Sequence, residues 1–243
     1  MSTQYDNVGV NYEDFKAQGK LPIIEKYTFF KLLGNIQGKH ILDLACGSGF
    51  YSRLLKQEGA AKVIGIDISK EMVKVARSKE NNNPVGNEYQ VFDVATMPHL
   101  GDFDLATAVY LLNYAQNKEI LIKMLSNIHR NLVDKGRFIT ITANPGFFIN
   151  KSDLSKYGLK VVKQEAFSEG YNCEIEFLTD SPFNINVFQL HQSIYESAIK
   201  EAGFKNFSWH NMEIPPEAIK EYGEDYWQDF LENPCMIALS CSN

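Results

Sequence analysis

The chain has no run of lysine or arginine, and its 24 basic residues are outnumbered by 30 acidic ones, a formal charge of −6. Holding a nucleic acid by its phosphates needs a basic footprint, so such a partner is not expected. No apolar stretch approaches the roughly 20 residues of a membrane span. The opening MSTQYDNVGVNYEDF also lacks the basic start and apolar centre of a secretion signal. The expectation is a cytoplasmic protein without membrane partners. Only four cysteines occur, Cys46, Cys173, Cys235 and Cys241, with no C-x-x-C spacing and no matching histidine pattern. They are expected as free, small buried groups, not as disulfides or metal ligands. Repeats and low-complexity segments are absent too. What remains is 243 residues, 44% of them hydrophobic, enough for one domain built on a sheet covered on both faces.

Short apolar runs alternate with helical patterns. They predict strands over about 39–44, 62–67, 87–92, 103–110 and 136–142, with helices over about 50–58, 69–79 and 117–131 between them. This is the signature of a parallel sheet in an α/β fold. Ser69 is placed to cap the second of these helices. An amphipathic helix over about 22–33 precedes the sheet, after a segment holding Tyr5 and Tyr12. Beyond Pro145 the period changes to two around 161–167, 173–178 and 184–188, which predicts antiparallel strands joined by SEGYN and TDSPF. A helix over 191–202, ending at Gly203, and strands over 206–210 and 236–241 complete the chain.

The densest chemistry lies in ILDLACGSGF, residues 41–50, a strand that ends on an acid and runs into a Gly-X-Gly turn. Twenty residues after Gly47, the strand VIGID ends on Asp67. Glycines at 47 and 49 allow a sharp turn with backbone close to a ligand, and an acid at the end of the second strand suits ribose hydroxyls. A dinucleotide fingerprint would need a third glycine, yet that position is Ser52. It would also place the carboxylate of Asp43 beside a pyrophosphate, where the charges repel. A ligand with a cationic amine and a ribose suits both acids, and S-adenosylmethionine has both.

These residues resemble motif I of the class I S-adenosylmethionine-dependent methyltransferases. The likeness continues through VIGIDIS, VFDVATMP, FDLATAVYLLNYA and KGRFITIT, covering about 38–143, and is looser in the AGF-containing C-terminal end. The flanks LLGNIQGKHILDLACGSGFYSRLLK and YLLNYA are most similar to small-molecule methyltransferases of the toxoflavin-biosynthesis type. The resemblance implies a Rossmann-like, mostly parallel sheet of seven strands with an antiparallel insertion capping the active site. In that organisation the single domain 1–243 comprises an N-terminal helical cap and cofactor-covering arm (1–37), a cofactor-binding half (38–143), a substrate-capping insertion (144–189) and a C-terminal helix with the final strands (190–243). The implied cofactor contacts are Asp43, Ala45, Cys46, Gly47, Ser48 and Gly49 in the turn, and Asp67 at the ribose. Ile68 and Met72 would flank adenine, and Asp93 with Val94 would read its edge. Tyr5 and Tyr12 would fold over the methionine end, although Val8-Gly9-Val10 departs from the usual arm pattern. Asp93 also reads as a turn residue, and Asp67 as a helix cap, a role Ser69 fills better.

Ligands of open α/β sheets sit beyond the carboxyl ends of the strands, which brings Tyr110–Asn113 to the same crevice. Tyr110 can face a sulfonium and Asn113 can hold a heteroatom by its amide, so both are catalytic or acceptor-side candidates. His191 is a further candidate base and His210 a weaker one, since a lone histidine is commonly structural. Leu111 and Tyr114 are assigned to the core. The tail with Tyr222, Tyr226, Trp227 and Phe230 reads as packing first and substrate wall second. No acid follows the fourth strand, so no metal is expected. The expected activity is methyl transfer to a small, planar or heterocyclic acceptor, nitrogen before oxygen, by a monomer or homodimer. The alternatives are a binder of S-adenosylmethionine that consumes it without an acceptor or only senses it, and, least favoured, a dinucleotide-dependent dehydrogenase.

Overall fold

The structure is a computed structural model that describes residues 15, 16 and 19–243. Tyr5 and Tyr12 lie outside the described residues. The first half runs α1 (Leu21–Leu33), β1 (His40–Leu44), α2 (Phe50–Gln57), β2 (Lys62–Asp67), α3 (Lys70–Asn82), β3 (Asn87–Val91), β4 (Phe103–Val109), α4 (Lys118–Arg130) and β5 (Leu132–Ala143). The second runs β6 (Leu159–Phe167), β7 (Gly170–Phe177), β8 (Phe183–Leu190), α5 (Gln192–Glu201), β9 (Asn206–His210), α6 (Pro216–Tyr222), α7 (Gln228–Glu232) and β10 (Met236–Ser242).

Seven strands form one sheet in the order β3-β2-β1-β4-β5-β10-β9, and β6-β7-β8 form a separate antiparallel sheet. Strands β1 to β5 pair in parallel, and β10 runs antiparallel to both β5 and β9. The reversed strand is therefore the last but one, and the edge strand β9 runs with the rest. In β1, Ile41, Leu42, Asp43 and Leu44 are all buried, the continuous pattern of a strand covered on both faces. Neighbouring residues divide between two cores. Ile41, Val63, Leu105 and Ile139 pack with Ile24, Phe29 and Leu33 of α1 and Leu55 of α2. Leu42, Ile64, Ala106 and Phe138 pack with Leu121 and Leu125 of α4 and Tyr195 and Ile199 of α5.

Capping follows the sequence. The Ser69 hydroxyl accepts from the Met72 amide at 3.2 Å to start α3, and Asn117 does the same for Ile120 at 3.0 Å to start α4. The elements form where the pattern places them, with ends shifted by up to three residues, except at β5. That strand begins at Leu132, not at 136, because Leu132 pairs with Phe103 ahead of a register irregularity. Lys135 sits in the same stretch at φ +62°. The charged pair Asp134-Lys135 breaks the apolar alternation there, which hides the strand's first turn from pattern reading. No helix among the described residues is long and apolar enough to cross a membrane.

Candidate active site

The strand order reverses direction between β1 and β4, which opens a crevice beyond their carboxyl ends. Backbone strain marks the same place. Among the described residues three non-glycines have positive φ, and two of them, Ala45 at +52° and Tyr110 at +63°, directly follow β1 and β4. A bulky residue held in this region costs of order 1–3 kcal/mol, and such strain concentrates at functional sites.

Around the turn, the carboxylate of Asp67 organises the backbone: Oδ2 accepts from the Gly47 amide at 2.9 Å and Oδ1 from the Ser69 amide at 2.8 Å. Arg53 adds a bond to the Ser48 carbonyl at 2.8 Å. Gly47 has φ +54°, and a Cβ there would meet only the Met72 methyl at 3.4 Å, which leaves its outer side open. Gly49 is required for a different reason than close approach to a ligand. Its φ is +80°, and a Cβ would stand 2.4 Å from the Tyr89 hydroxyl.

Asp43 is not at the mouth of the turn. It is 2% exposed and lies beneath it, with Oδ2 accepting from Ser52 Oγ at 2.5 Å and Oδ1 from Thr107 Oγ1 at 2.9 Å. Burial pushes its carboxyl up to about 6, and the two hydroxyls offset only part of that. Ser52, first conspicuous as a missing glycine, is a buried partner of this acid.

The other residues expected beside adenosine gather along the ends of β2 and β3. Ile68 is half exposed, an unusual state for a large aliphatic group, while Met72 is buried behind the turn. Cys46 and Ser48 are buried within it. The Phe92 amide donates to the Asp67 carbonyl at 3.0 Å, tying the two strand ends together. Asp93 accepts from the Ala95 amide at 2.9 Å, so it does fill the turn role, with lone pairs to spare. Val94 is buried, and its carbonyl accepts from the Asn127 side chain at 2.9 Å.

A chamber adjoins this ledge at Tyr110. Tyr110, Asn113 and Tyr114 line one side, and the inner face of the antiparallel sheet lines the other through Leu159, Val161, Cys173, Ile175, Phe177, Ile185, Val187 and Gln189. These inner residues alternate along each strand, as a one-sided sheet demands. Phe15, Leu21, Ala143, Asn144, Phe147, Cys235 and Met236 complete the walls. Gln189 fixes the cap by donating to the Asn144 carbonyl at 2.7 Å and the Phe147 carbonyl at 2.9 Å. The Tyr110 hydroxyl lies 3.1 Å from Met236 Sδ, and the Lys16 ammonium stands 4.8 Å from the Tyr110 ring centroid. Lys16 pairs with Glu25, which also accepts from the Tyr51 hydroxyl at 2.5 Å. Burial lowers the Lys16 pKa against the pull of Glu25.

Asn113 stands in this chamber and His191 does not. His191 is exposed at the start of α5, edge-on to Tyr171. His210 bonds Ser240 Oγ at 2.8 Å on the far strands. Tyr114 is a wall residue, not core, because the short helical turn Leu112–Tyr114 rotates it toward the chamber. Trp227 and Phe230 are buried in packing, with Trp227 stacked on Tyr157 at 5.5 Å and 2° between planes. The four cysteines are free. Burial raises the Cys173 thiol to about 11, so it stays neutral. Sequence reasoning missed Cys173, Gln189 and Phe147 as walls. The signal was the period of two over 159–190, which gives the facing of each strand but not what it faces.

Residues 41–136 match the family model described as a methyltransferase domain. The match makes this segment a methyltransferase domain, in line with the resemblance of its motifs to the class I S-adenosylmethionine-dependent enzymes. An uncharacterized protein of Haemophilus influenzae is 34% identical over 129 residues, 51% of this chain and 49% of that protein. A ubiquinone biosynthesis O-methyltransferase of Bordetella avium is 27% identical over 143 residues, 57% of each. The chain thus spans about half the length of the curated relatives it matches. The crystal structure of an S-adenosylmethionine-dependent methyltransferase from Mesorhizobium loti shares the fold with a TM-score of 0.66 at 20% identity, covering 90% of this chain and 98% of that one. The residues of the crevice fit the cofactor that the motifs imply: an acid at the end of β2 for a ribose, an exposed aliphatic group for adenine, and beneath the turn a buried acid held by two hydroxyls.

Proposed function

We propose that the chain transfers a methyl group from S-adenosylmethionine to a small, flat, mostly apolar acceptor, nitrogen before oxygen. The observation that carries this reading is the shared wall at Tyr110, where a ledge built for a nucleoside meets a chamber lined by aliphatic and aromatic side chains. Bound S-adenosylmethionine supplies an electrophilic methyl on its sulfonium. Asp67 holds the ribose, Ile68 and Met72 cover the adenine, and Asp93 with the Val94 amide reads its edge. Ala45, Cys46, Gly47, Ser48 and Gly49 form the turn below, and ionised Asp43 supplies the negative field for the amino-acid end. The insertion over 144–189, with its antiparallel sheet, caps the acceptor, excludes water and holds it in line, which is most of what methyl transfer asks of a protein. A nitrogen acceptor sheds its proton to solvent before reaction, so no dedicated base is needed. The O-methyltransferase named above keeps a hydroxyl acceptor as the alternative within the same chemistry.

Isothermal titration with S-adenosylhomocysteine tests the cofactor half. Binding below millimolar is expected, with Asp67→Asn and Asp67→Ala weakening it about 100-fold, the worth of two hydrogen bonds to a carboxylate. No binding by the unaltered chain, or full binding by both variants, would refute it. An acceptor screen scored by S-adenosylhomocysteine release tests the rest, and release only with proteins or RNA would count against a small acceptor.

A further inference from the structure

We infer that Asn113 reads the acceptor by a donor-acceptor edge: its amide takes an N–H group with Oδ1 and meets an adjacent carbonyl or ring nitrogen with Nδ2. The acceptor class is then a planar heterocycle with a lactam or amidine-like edge. This rests on the methyl-transfer reading and narrows it.

Asn113 is 2% exposed, lies in the turn Leu112–Tyr114 three residues after the strained Tyr110, and lines the chamber. Its Oδ1 is enclosed and has no hydrogen-bond partner. An enclosed amide oxygen left unpartnered is destabilising, and native proteins seldom leave one so without a functional reason. The other two amides on the chamber wall are already engaged: Gln189 donates to two backbone carbonyls and accepts from Gln164 Nε2 at 2.6 Å, and Asn144 donates to the Pro234 carbonyl at 2.8 Å and accepts from the Gly146 amide at 2.9 Å. Asn113 therefore holds unspent polar capacity in a lining whose other amides are engaged and whose remaining side chains are mostly aliphatic or aromatic. Apolar surroundings favour a flat, uncharged guest, and the fixed Oδ1–Nδ2 pair gives orientation. The two atoms of a carboxamide lie side by side in one plane, so they match an edge that offers a donor next to an acceptor. Either way round, the amide plane presents the same complementary pair.

Three flat probes of similar shape separate the possibilities, titrated calorimetrically into the full chain saturated with S-adenosylhomocysteine. 2-Quinolone has the complete edge, 1-methyl-2-quinolone lacks the donor, and naphthalene lacks both groups. At least a tenfold preference for 2-quinolone over each of the others is expected. Asn113→Leu should abolish the preference while S-adenosylhomocysteine affinity stays unchanged. Asn113→Asp, which keeps the shape but sets a carboxylate oxygen against the quinolone carbonyl, should weaken 2-quinolone at least tenfold and serves if the leucine variant does not fold. Equal affinity for the three probes, no binding of any, or a preference that survives both substitutions would overturn the inference. Each of those results with S-adenosylhomocysteine still bound leaves the methyl-transfer reading standing, whereas loss of nucleoside binding by the unaltered chain removes both.

Discussion

The acid beneath the glycine turn sets two pH dependences. Asp43 has its folded pKa raised to about 6, against about 3.9 for an unperturbed aspartate. Its fold prefers the neutral form, so this residue contributes no penalty below pH 4, a growing one as pH rises from 4 to 6, and the full one above. That full cost is about 3 kcal/mol as an order of magnitude. A cationic ligand above the turn favours the ionised form, so binding is opposed wherever Asp43 is protonated. S-adenosylhomocysteine affinity should therefore rise about tenfold between pH 5 and pH 7, and the rise should vanish in Asp43→Asn, which should also melt higher than the unaltered chain at pH 7. Titration calorimetry across that range measures the first, and a pH-independent affinity would contradict it. The sequence identified Asp43 by its neighbours in a strand-turn pattern but placed it at the surface. Its partners Ser52 and Thr107 come from α2 and β4, and only the folded sheet brings them together.

Among the elements, the glycine turn and α2 form a joint whose tolerance follows from packing. Gly49 is the left-handed residue that starts α2, and the Tyr89 ring of β3 covers the space where a Cβ would sit. Gly49→Ala should cost about 2–4 kcal/mol by urea denaturation, combining left-handed strain with a clash. Pairing it with Tyr89→Leu should recover only the clash. A change within about 0.5 kcal/mol would contradict this assignment. Sequence patterns captured this half of the chain well because β1 to β4 are short apolar runs between capped helices, where local propensity and burial agree. They lost the start of β5, where Asp134 and Lys135 interrupt the alternation, and they assigned Tyr114 to the core because a helical turn, not a strand end, carries it. The period of two over β6 to β8 gave the strands, but not what they cover, which depends on long-range bonds such as those of Gln189 to the Asn144 and Phe147 carbonyls.

Across the molecule, two layers meet at one point. The parallel sheet supplies a ledge at the ends of β1, β2 and β3, the antiparallel sheet supplies a wall, and Tyr110 belongs to both. Its positive φ follows from the chain leaving β4 toward the chamber and turning at once into Leu112–Tyr114. On the proposed function, one ligand lies along the ledge and presents its reacting end to the chamber. A crystal structure with S-adenosylhomocysteine is the most direct test. The ribose is predicted on Asp67, the adenine over Ile68, and the sulfur facing the chamber beside Tyr110 and Asn113. A nucleoside bound elsewhere, or one whose sulfur faces away from that chamber, would contradict the account.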